Sequence, residues 1–209
     1  MGWDRAVFHW INGLAGHFPP LDYVLIGVAS DYLVIISMCL VLVAMWFGTR
    51  NQQQRRENQL SVTVAMSSLG LATAAVALAN LFFEKNSTLE GTAIHALFNR
   101  PRPFEVEEGV TLLFYRPTDP SFPSNLTAVV FGLAIAVRLK NKKVGNLLLG
   151  VALLASLSRV YVGIHYPGDI LGGILFAFIG VGWALVMFAL FRPLKRLLFW
   201  VLEKLHLGS

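Results

Sequence analysis

The residues best suited to chemistry lie in three short segments. The segment Ser158-Arg159-Val160-Tyr161-Val162-Gly163-Ile164-His165-Tyr166-Pro167-Gly168-Asp169 combines an arginine, a histidine and an aspartate at the junction of two apolar runs. Ionisable groups next to membrane-spanning runs are costly and point to function. Asp169 can accept from one ring nitrogen of His165, which leaves the other free to act as a nucleophile. The segment Asn99-Arg100-Pro101-Arg102-Pro103-Phe104 sets two guanidinium groups on a backbone stiffened by prolines. Such forked donors match phosphate, although the same pair also suits plain contact with lipid headgroups. In Ser121-Phe122-Pro123-Ser124-Asn125-Leu126-Thr127, the proline and the N-cap serine Ser124 mark a helix start. A helix start offers free N–H groups to an anion, and a plain cap is the simpler alternative. Together the three segments describe a phosphate site with a candidate histidine nucleophile.

These segments need elements to hold them, and composition names the solvent. The chain has 209 residues, 56% hydrophobic and only 14% charged. Soluble domains carry about 25% charged residues, so the expected fold is an all-α, polytopic membrane bundle of five to six helices, a single domain over residues 1–209. The one cysteine, Cys39, excludes an internal disulfide. The net charge of +5 sits between apolar runs, which argues topology and not nucleic acid.

Trp3, Val7, Trp10, Ile11 and Leu14 recur at helical spacing and predict an N-terminal amphipathic helix in the membrane interface, ended by Pro19-Pro20. Residues 1–20 lack a clean apolar core, so no cleavable signal peptide is expected. Apolar runs predict spans over about Leu21–Phe47, interrupted at Asp31, then Leu60–Phe83, Ser124–Leu139, Val144–Val162 and Asp169–Phe191. The stretch Glu84–Pro123 reads as irregular, and the tail beyond Phe191 as a further interfacial helix. Basic residues at 49–58, at 138–143 and in the tail share one face, expected to be cytoplasmic. The 84–123 and 163–168 segments then share the outer face. Glu105, Glu107 and Glu108 read as solvated loop charge, and Tyr115, Arg116 and Asp119 as shaping the mouth of the site.

In order and spacing the three segments resemble the type 2 phosphatidic acid phosphatase (PAP2) superfamily. Its pattern is Lys-x6-Arg-Pro, Pro-Ser-Gly-His and Ser-Arg-x5-His-x3-Asp. The third motif is complete at Ser158, Arg159, His165 and Asp169. The first is present at Arg102-Pro103, with His95 in place of its lysine. The second is present at Pro123-Ser124, with Asn125 as a tolerated variation and Leu126 in place of its histidine. The strings FHWINGLAGHFPPLDYVL, NRPRPF and DPSFPSNLTA are most similar to the bacterial undecaprenyl-diphosphate phosphatases of the bacitracin-resistance type.

The resemblance implies removal of the terminal phosphate of undecaprenyl diphosphate outside the bacterial cytoplasmic membrane, recycling the lipid carrier for cell-wall synthesis. By that resemblance His165 attacks phosphorus, Asp169 orients it, and Arg102, Arg159 and Ser124 hold the phosphoryl oxygens. No metal and no cofactor is implied. The expected partners are a polyprenyl (di)phosphate lipid and the membrane, with a homodimer left open.

Leu126 stands where the family's acid–base histidine belongs and can neither give nor take a proton. It fits three cases: an inactivating replacement, a natural variant with slow turnover, or a protein that binds polyprenyl phosphates without cleaving them. Phosphatidic acid and phosphatidylglycerophosphate are alternative substrates. His95 is a candidate substitute either for the missing acid or for the usual lysine.

Overall fold

The computed structural model describes residues 2–49 and 51–191. Arg50 and the basic tail beyond Phe191 lie outside the described residues. The protein is all-helical there, with nine α-helices among the described residues. They are α1 (Gly2–Asn12), α2 (Pro19–Ala29), α3 (Leu33–Phe47), α4 (Gln52–Lys85), α5 (Ala93–Phe98), α6 (Pro103–Val106), α7 (Asn125–Arg138), α8 (Lys142–Tyr161) and α9 (Pro167–Leu190).

Helices α4, α8 and α9 are long and apolar enough to cross a membrane, and the bent pair α2–α3 makes a fourth candidate. Helix α7 has 14 residues, about 21 Å of helix against a hydrocarbon core of about 30 Å. Its position explains why so short a helix serves. It is buried on nearly every face, packed among α4, α8 and α9, so its length need not match the lipid. Outward faces of the longer helices carry large exposed apolar side chains such as Leu78, Phe82, Leu147, Leu175 and Trp183, as a lipid-facing surface should.

Small residues set the helix spacing, as is usual where lipid removes the hydrophobic drive between helices. Gly172 faces the Phe122 ring, and a Cβ at Gly173 would lie 2.6 Å from the Ser124 carbonyl oxygen and 2.7 Å from Thr127 Cβ. These glycines let the start of α7 sit directly on the start of α9. Gly180 leaves the same room for Ala72 of α4.

Two expectations change in detail. The expected first span is broken: α2 and α3 meet at 62°, on either side of Asp31. Both ends of α2 are tied to the last turn of α8, because Tyr161 Oη donates to Asp22 (2.6 Å) and Arg159 Nη1 donates to the Ala29 carbonyl (2.8 Å). Helix α2 therefore stays at the end of the bundle where α8 finishes. The second change is at α4, which begins at Gln52, well before the expected Leu60. Its first turns are polar because they extend past the apolar layer, capped by Asn51, whose side chain accepts from the Gln54 N–H.

The stretch 84–123 is less irregular than its composition suggests. Helices α5 and α6 lie in it, and an aromatic ladder holds it down, with Phe83 stacked on Phe98 at 4.7 Å and Phe98 edge-on to Phe122 at 5.2 Å. Helix α1 lies across the same end of the bundle. Trp3, Val7, Trp10 and Leu14 point outward, while Asp4, Phe8 and Asn12 are buried beneath it. Asn12 Nδ2 donates to the carbonyls of Thr111 and Tyr161, both at 2.8 Å. The apolar face is therefore free for the interface, and the polar face is the one that binds protein.

Replacement of Gly173 by leucine is expected to lower stability by about 1–3 kcal/mol through overpacking at the α7–α9 contact, read as a lower midpoint of thermal unfolding in detergent. An unchanged midpoint would contradict the close approach.

Candidate active site

His165 lies in the turn between α8 and α9, and α9 begins two residues later. Gly163 makes that turn possible, with φ of +89° and the Thr111 carbonyl oxygen 2.9 Å from where a Cβ would be. Asp169 is the third residue of α9 and points back, so its Oδ2 accepts from the Tyr166 N–H at 2.8 Å. The same oxygen accepts from Ser121 Oγ at 2.5 Å.

His165 Nδ1 is 2.9 Å from the Ser121 carbonyl oxygen and 3.5 Å from Asp169 Oδ2. A carbonyl oxygen can only accept, so Nδ1 carries the hydrogen and Nε2 the lone pair. The nearer partner is thus the Ser121 carbonyl, while the carboxylate stands behind it. Arg102 Nη1 lies 3.3 Å from Nε2, as a donor to that lone pair should.

His165 lines a cavity of about 210 Å³ together with Arg102, Arg159, Asp31, Asp119, Leu126 and neighbours. The two arginines come from distant parts of the chain. Arg102 is buried, with Nε on the Asp119 carbonyl (2.9 Å), Nη2 on Asp119 Oδ1 (2.9 Å) and Nη1 on the Ile164 carbonyl (2.9 Å). Arg159 Nη1 donates to Asp31 Oδ1 at 2.7 Å, and Asp31 Oδ2 accepts from Tyr115 Oη at 2.6 Å. Arg159 Nε is buried with no hydrogen-bond partner. Each of these guanidiniums is thus paired with a carboxylate beside the cavity.

The imidazole is 2% exposed. Burial is the main cause that lowers its pKa from 6.5 to about 4. The nearby Arg159 and Arg102 lower it further, while Asp169 opposes them. His165 is therefore neutral near pH 7, the state a nucleophile requires.

The remaining residues named from the sequence are placed unevenly. Asn125 and Leu126 line the cavity, at the start of α7 where the first N–H groups have no intrahelical acceptor. Ser124 is the N-cap residue of α7 but its side chain does not cap. It is fully buried, and its Oγ accepts from Thr127 Oγ1 at 3.0 Å. Ser158 Oγ turns back to the Ala155 carbonyl at 2.7 Å. His95 lies on α5, half-buried, and is not among the cavity-lining residues.

The arginines of the Arg-Pro-Arg-Pro segment part company. Arg102 faces the cavity, whereas Arg100 turns away, donates to Asp169 Oδ1 (3.1 Å) and pairs with Asp4 Oδ2 (2.6 Å). Glu107 is not solvated loop charge: its side chain is nearly buried, accepts from Tyr166 Oη at 2.8 Å and pairs with Arg5. Sequence reasoning missed Asp4, Asp31 and Glu107 as parts of this network. Asp31 alone gave a signal, as a charge interrupting an apolar run.

Fold and site together define a multi-pass helical membrane protein with a neutral histidine and two arginines around one cavity. The profile of the PAP2 superfamily matches residues 65–195, and the chain belongs to this phosphatase family. It is 30% identical over 201 residues to undecaprenyl-diphosphatase BcrC of Bacillus subtilis, covering 96% of this chain and 92% of that one. It is also 30% identical over 178 residues to the putative undecaprenyl-diphosphatase YbjG of Escherichia coli, covering 85% and 78%. The crystal structure of Aquifex aeolicus LpxE superposes with a TM-score of 0.64 at 26% identity, covering 88% of this chain and 94% of that one.

The low pKa of His165 gives a titration prediction. In detergent micelles its ring resonances are expected to hold their neutral positions through pH 6.5 and to move only near pH 4. A midpoint close to 6.5 would show that burial and the arginines do not act on it. The same shift bears on stability. The unfolded chain takes up a proton near pH 6.5 that the folded one refuses until about 4, so this group's contribution to stability falls as pH drops across that window.

Proposed function

We propose that the protein removes the terminal phosphate of undecaprenyl diphosphate at the outer face of a bacterial cytoplasmic membrane, through a phosphohistidine on His165. The observation that carries this reading is the tautomer: Nδ1–H is held by the Ser121 carbonyl, which leaves the lone pair on Nε2, and His165 lines the same cavity as Arg102 and Arg159. Arg102 Nη1, 3.3 Å from Nε2, must turn to the phosphoryl group for attack. In the proposed first step Nε2 attacks the terminal phosphorus, and the bond from phosphorus to the bridging oxygen breaks. The lipid monophosphate leaves with that electron pair. Arg102 and Arg159 exchange their carboxylate partners for phosphoryl oxygens, whose charge grows in the transition state. Water then attacks phosphorus, the N–P bond breaks, and inorganic phosphate leaves with His165 neutral again.

Leu126 bears on the substrate. No histidine stands there to protonate a leaving group. An alkoxide from a simple monoester needs that proton badly. A phosphate monoester does not, because its second pKa is about 6. A diphosphate is therefore the substrate this site handles most easily, ahead of phosphatidic acid or phosphatidylglycerophosphate. Leu126 also favours a second reading, a membrane protein that binds polyprenyl phosphates without cleaving them. The outer-face assignment rests on the basic residues at the opposite end of the bundle, Arg55 and Arg56 in α4 and Arg138, Lys140, Lys142 and Lys143 around the α7–α8 turn.

The deciding assay is phosphate release from C55 isoprenyl diphosphate in detergent, without divalent metal, for this chain, Leu126→His and His165→Ala. Introducing the histidine is expected to raise the rate on the order of a hundred- to ten-thousand-fold, and His165→Ala to abolish it. Lipid binding with no release by either this chain or Leu126→His would give the binding reading its place. For topology, a cysteine at exposed Thr118 in a Cys39→Ala background should be labelled by an impermeant reagent from outside intact cells. Labelling only after lysis would overturn the outer-face assignment.

A further inference from the structure

We propose that Asp4 and Arg100 form a positioning pair for His165 and Asp169, so that α1 belongs to the reaction machinery and not only to the membrane interface. This rests on the proposed roles of His165 and Asp169. The two residues are far apart in the chain and are brought together under the Tyr166 ring. The Arg100 guanidinium lies 3.6 Å from the ring centroid, which fixes its plane. From that plane Nη2 pairs with Asp4 Oδ2 at 2.6 Å and Nη1 with Asp169 Oδ1 at 3.1 Å. Asp4 Oδ1 also accepts from the Gly168 N–H at 2.7 Å, in the first turn of α9. Asp4 is therefore fastened both to the helix that carries Asp169 and to the cation that holds it.

All three charged side chains are close to dry: Asp4 is 5% exposed, Arg100 11% and Asp169 0%. One arginine serves two carboxylates, each through a single nitrogen. Guanidinium and carboxylate prefer a two-bond fork when geometry allows it. Asp4 prevents that fork by holding Nη2. Asp169 Oδ2 is thus left for Ser121 Oγ and the Tyr166 N–H, at its 3.5 Å from His165 Nδ1. Without the Asp4 charge, Arg100 is free to take both oxygens of Asp169 and draw Oδ2 from that place. Without Arg100, two buried carboxylates lose their common cation. Either change alters the field and the orientation of the imidazole without touching the cavity, whose lining includes neither Asp4 nor Arg100.

The test compares Asp4→Asn, Asp4→Glu, Arg100→Gln and the Asp4→Asn/Arg100→Gln double variant of the full chain, each in the parent and the Leu126→His background. One readout is independent of turnover: the rate at which diethyl pyrocarbonate modifies His165, followed by mass spectrometry, with exposed His17 as internal reference. The other is kcat and KM for C55 isoprenyl diphosphate. Asp4→Asn and Arg100→Gln are each expected to slow His165 modification and to lower kcat about tenfold with KM little changed. The double variant should be no worse than the poorer single, since contacting residues that act as one unit are not additive. Asp4→Glu should recover part of the loss.

Costs that multiply in the double variant, or an Asp4→Asn protein with a normal His165 rate, would overturn the proposal. Should Asp4→Asn fail to fold, Arg100→Lys keeps the charge but has no pair of coplanar nitrogens to span Asp4 and Asp169, and an unchanged His165 rate there would overturn it equally. Coupled changes in His165 modification, with no phosphate release in either background, would sink the phosphatase reading and leave the positioning pair standing.

Discussion

A carboxylate with no solvent exposure, placed at the end of an apolar bundle, is the constraint from which the rest of this site follows. Asp169 can remain there only if its oxygens are supplied with donors, because an unpaired buried charge costs several kcal/mol. Four donors converge on it: Ser121 Oγ, the Tyr166 N–H, Arg100 Nη1 and, at longer range, His165 Nδ1. Each comes with a requirement of its own. Ser121 must lie beside α9, which calls for the close approach allowed by Gly172 and Gly173. Arg100 must reach inward, which brings Asp4 and α1 onto the bundle. The segment 99–123 is tied at both ends to one another by the bond from the Ser121 N–H to the Arg100 carbonyl. Packing of α7 on α9, docking of α1 and folding of a long loop are thus consequences of keeping one charge satisfied.

The same accounting separates two kinds of arginine. Arg100 pairs with two buried carboxylates and stacks on a ring, away from the cavity lining. Arg102 and Arg159 line the cavity and pair with carboxylates that, in the proposed reaction, are exchanged for phosphoryl oxygens. Asp119 has a side chain 70% exposed, and Asp31 sits at the break between α2 and α3. The exposed Asp119 carboxylate gains water if it leaves its arginine, so in the proposed reaction giving way to a phosphoryl group costs it little, whereas Asp31, 33% exposed and held by Tyr115 Oη, is bound more firmly. The Ile164 and Ala29 carbonyls each accept from one of these arginines as well. A site assembled this way holds two cations in place without a ligand, which is the condition that electrostatic preorganisation of the proposed reaction requires.

Local features were legible in the sequence and long-range ones were not. His165 and Asp169 are four residues apart across a turn, so their proximity follows from local geometry. The starts of α7 and α9 carry proline and capping signals, and both appear within a few residues of the expected place. The α4 start was obscured because Gln52–Arg56 are polar, and hydropathy reports lipid contact rather than helix. The roles of Arg100 and Arg102 could not be told apart, since alternating prolines make their local settings alike. Which one faces the cavity is decided by Asp4, Asp119 and Tyr166, all outside the motif. The helical spacing of Trp3, Trp10 and Leu14 showed the outward face of α1, but the same spacing gave no weight to Asp4, whose partner lies 96 positions further on.

The proton inventory explains how a site with leucine at position 126 could still favour one substrate class. In the proposed reaction two groups must leave phosphorus, first the lipid monophosphate and then the imidazole. The monophosphate is weakly basic and departs without help. The imidazole departs from Nε2 while Nδ1 keeps its hydrogen on the Ser121 carbonyl, so it leaves as a neutral ring and also needs no acid. Neither departure calls on the missing histidine. What remains unassisted is the removal of a proton from the attacking water, and the burden of Leu126 falls on the second step alone. For a simple phosphate monoester the first step is burdened as well, because an alkoxide must be expelled without a proton. The same substitution therefore penalises a monoester twice and a diphosphate once, and discrimination between them follows from leaving-group basicity without any contact that recognises the second phosphate.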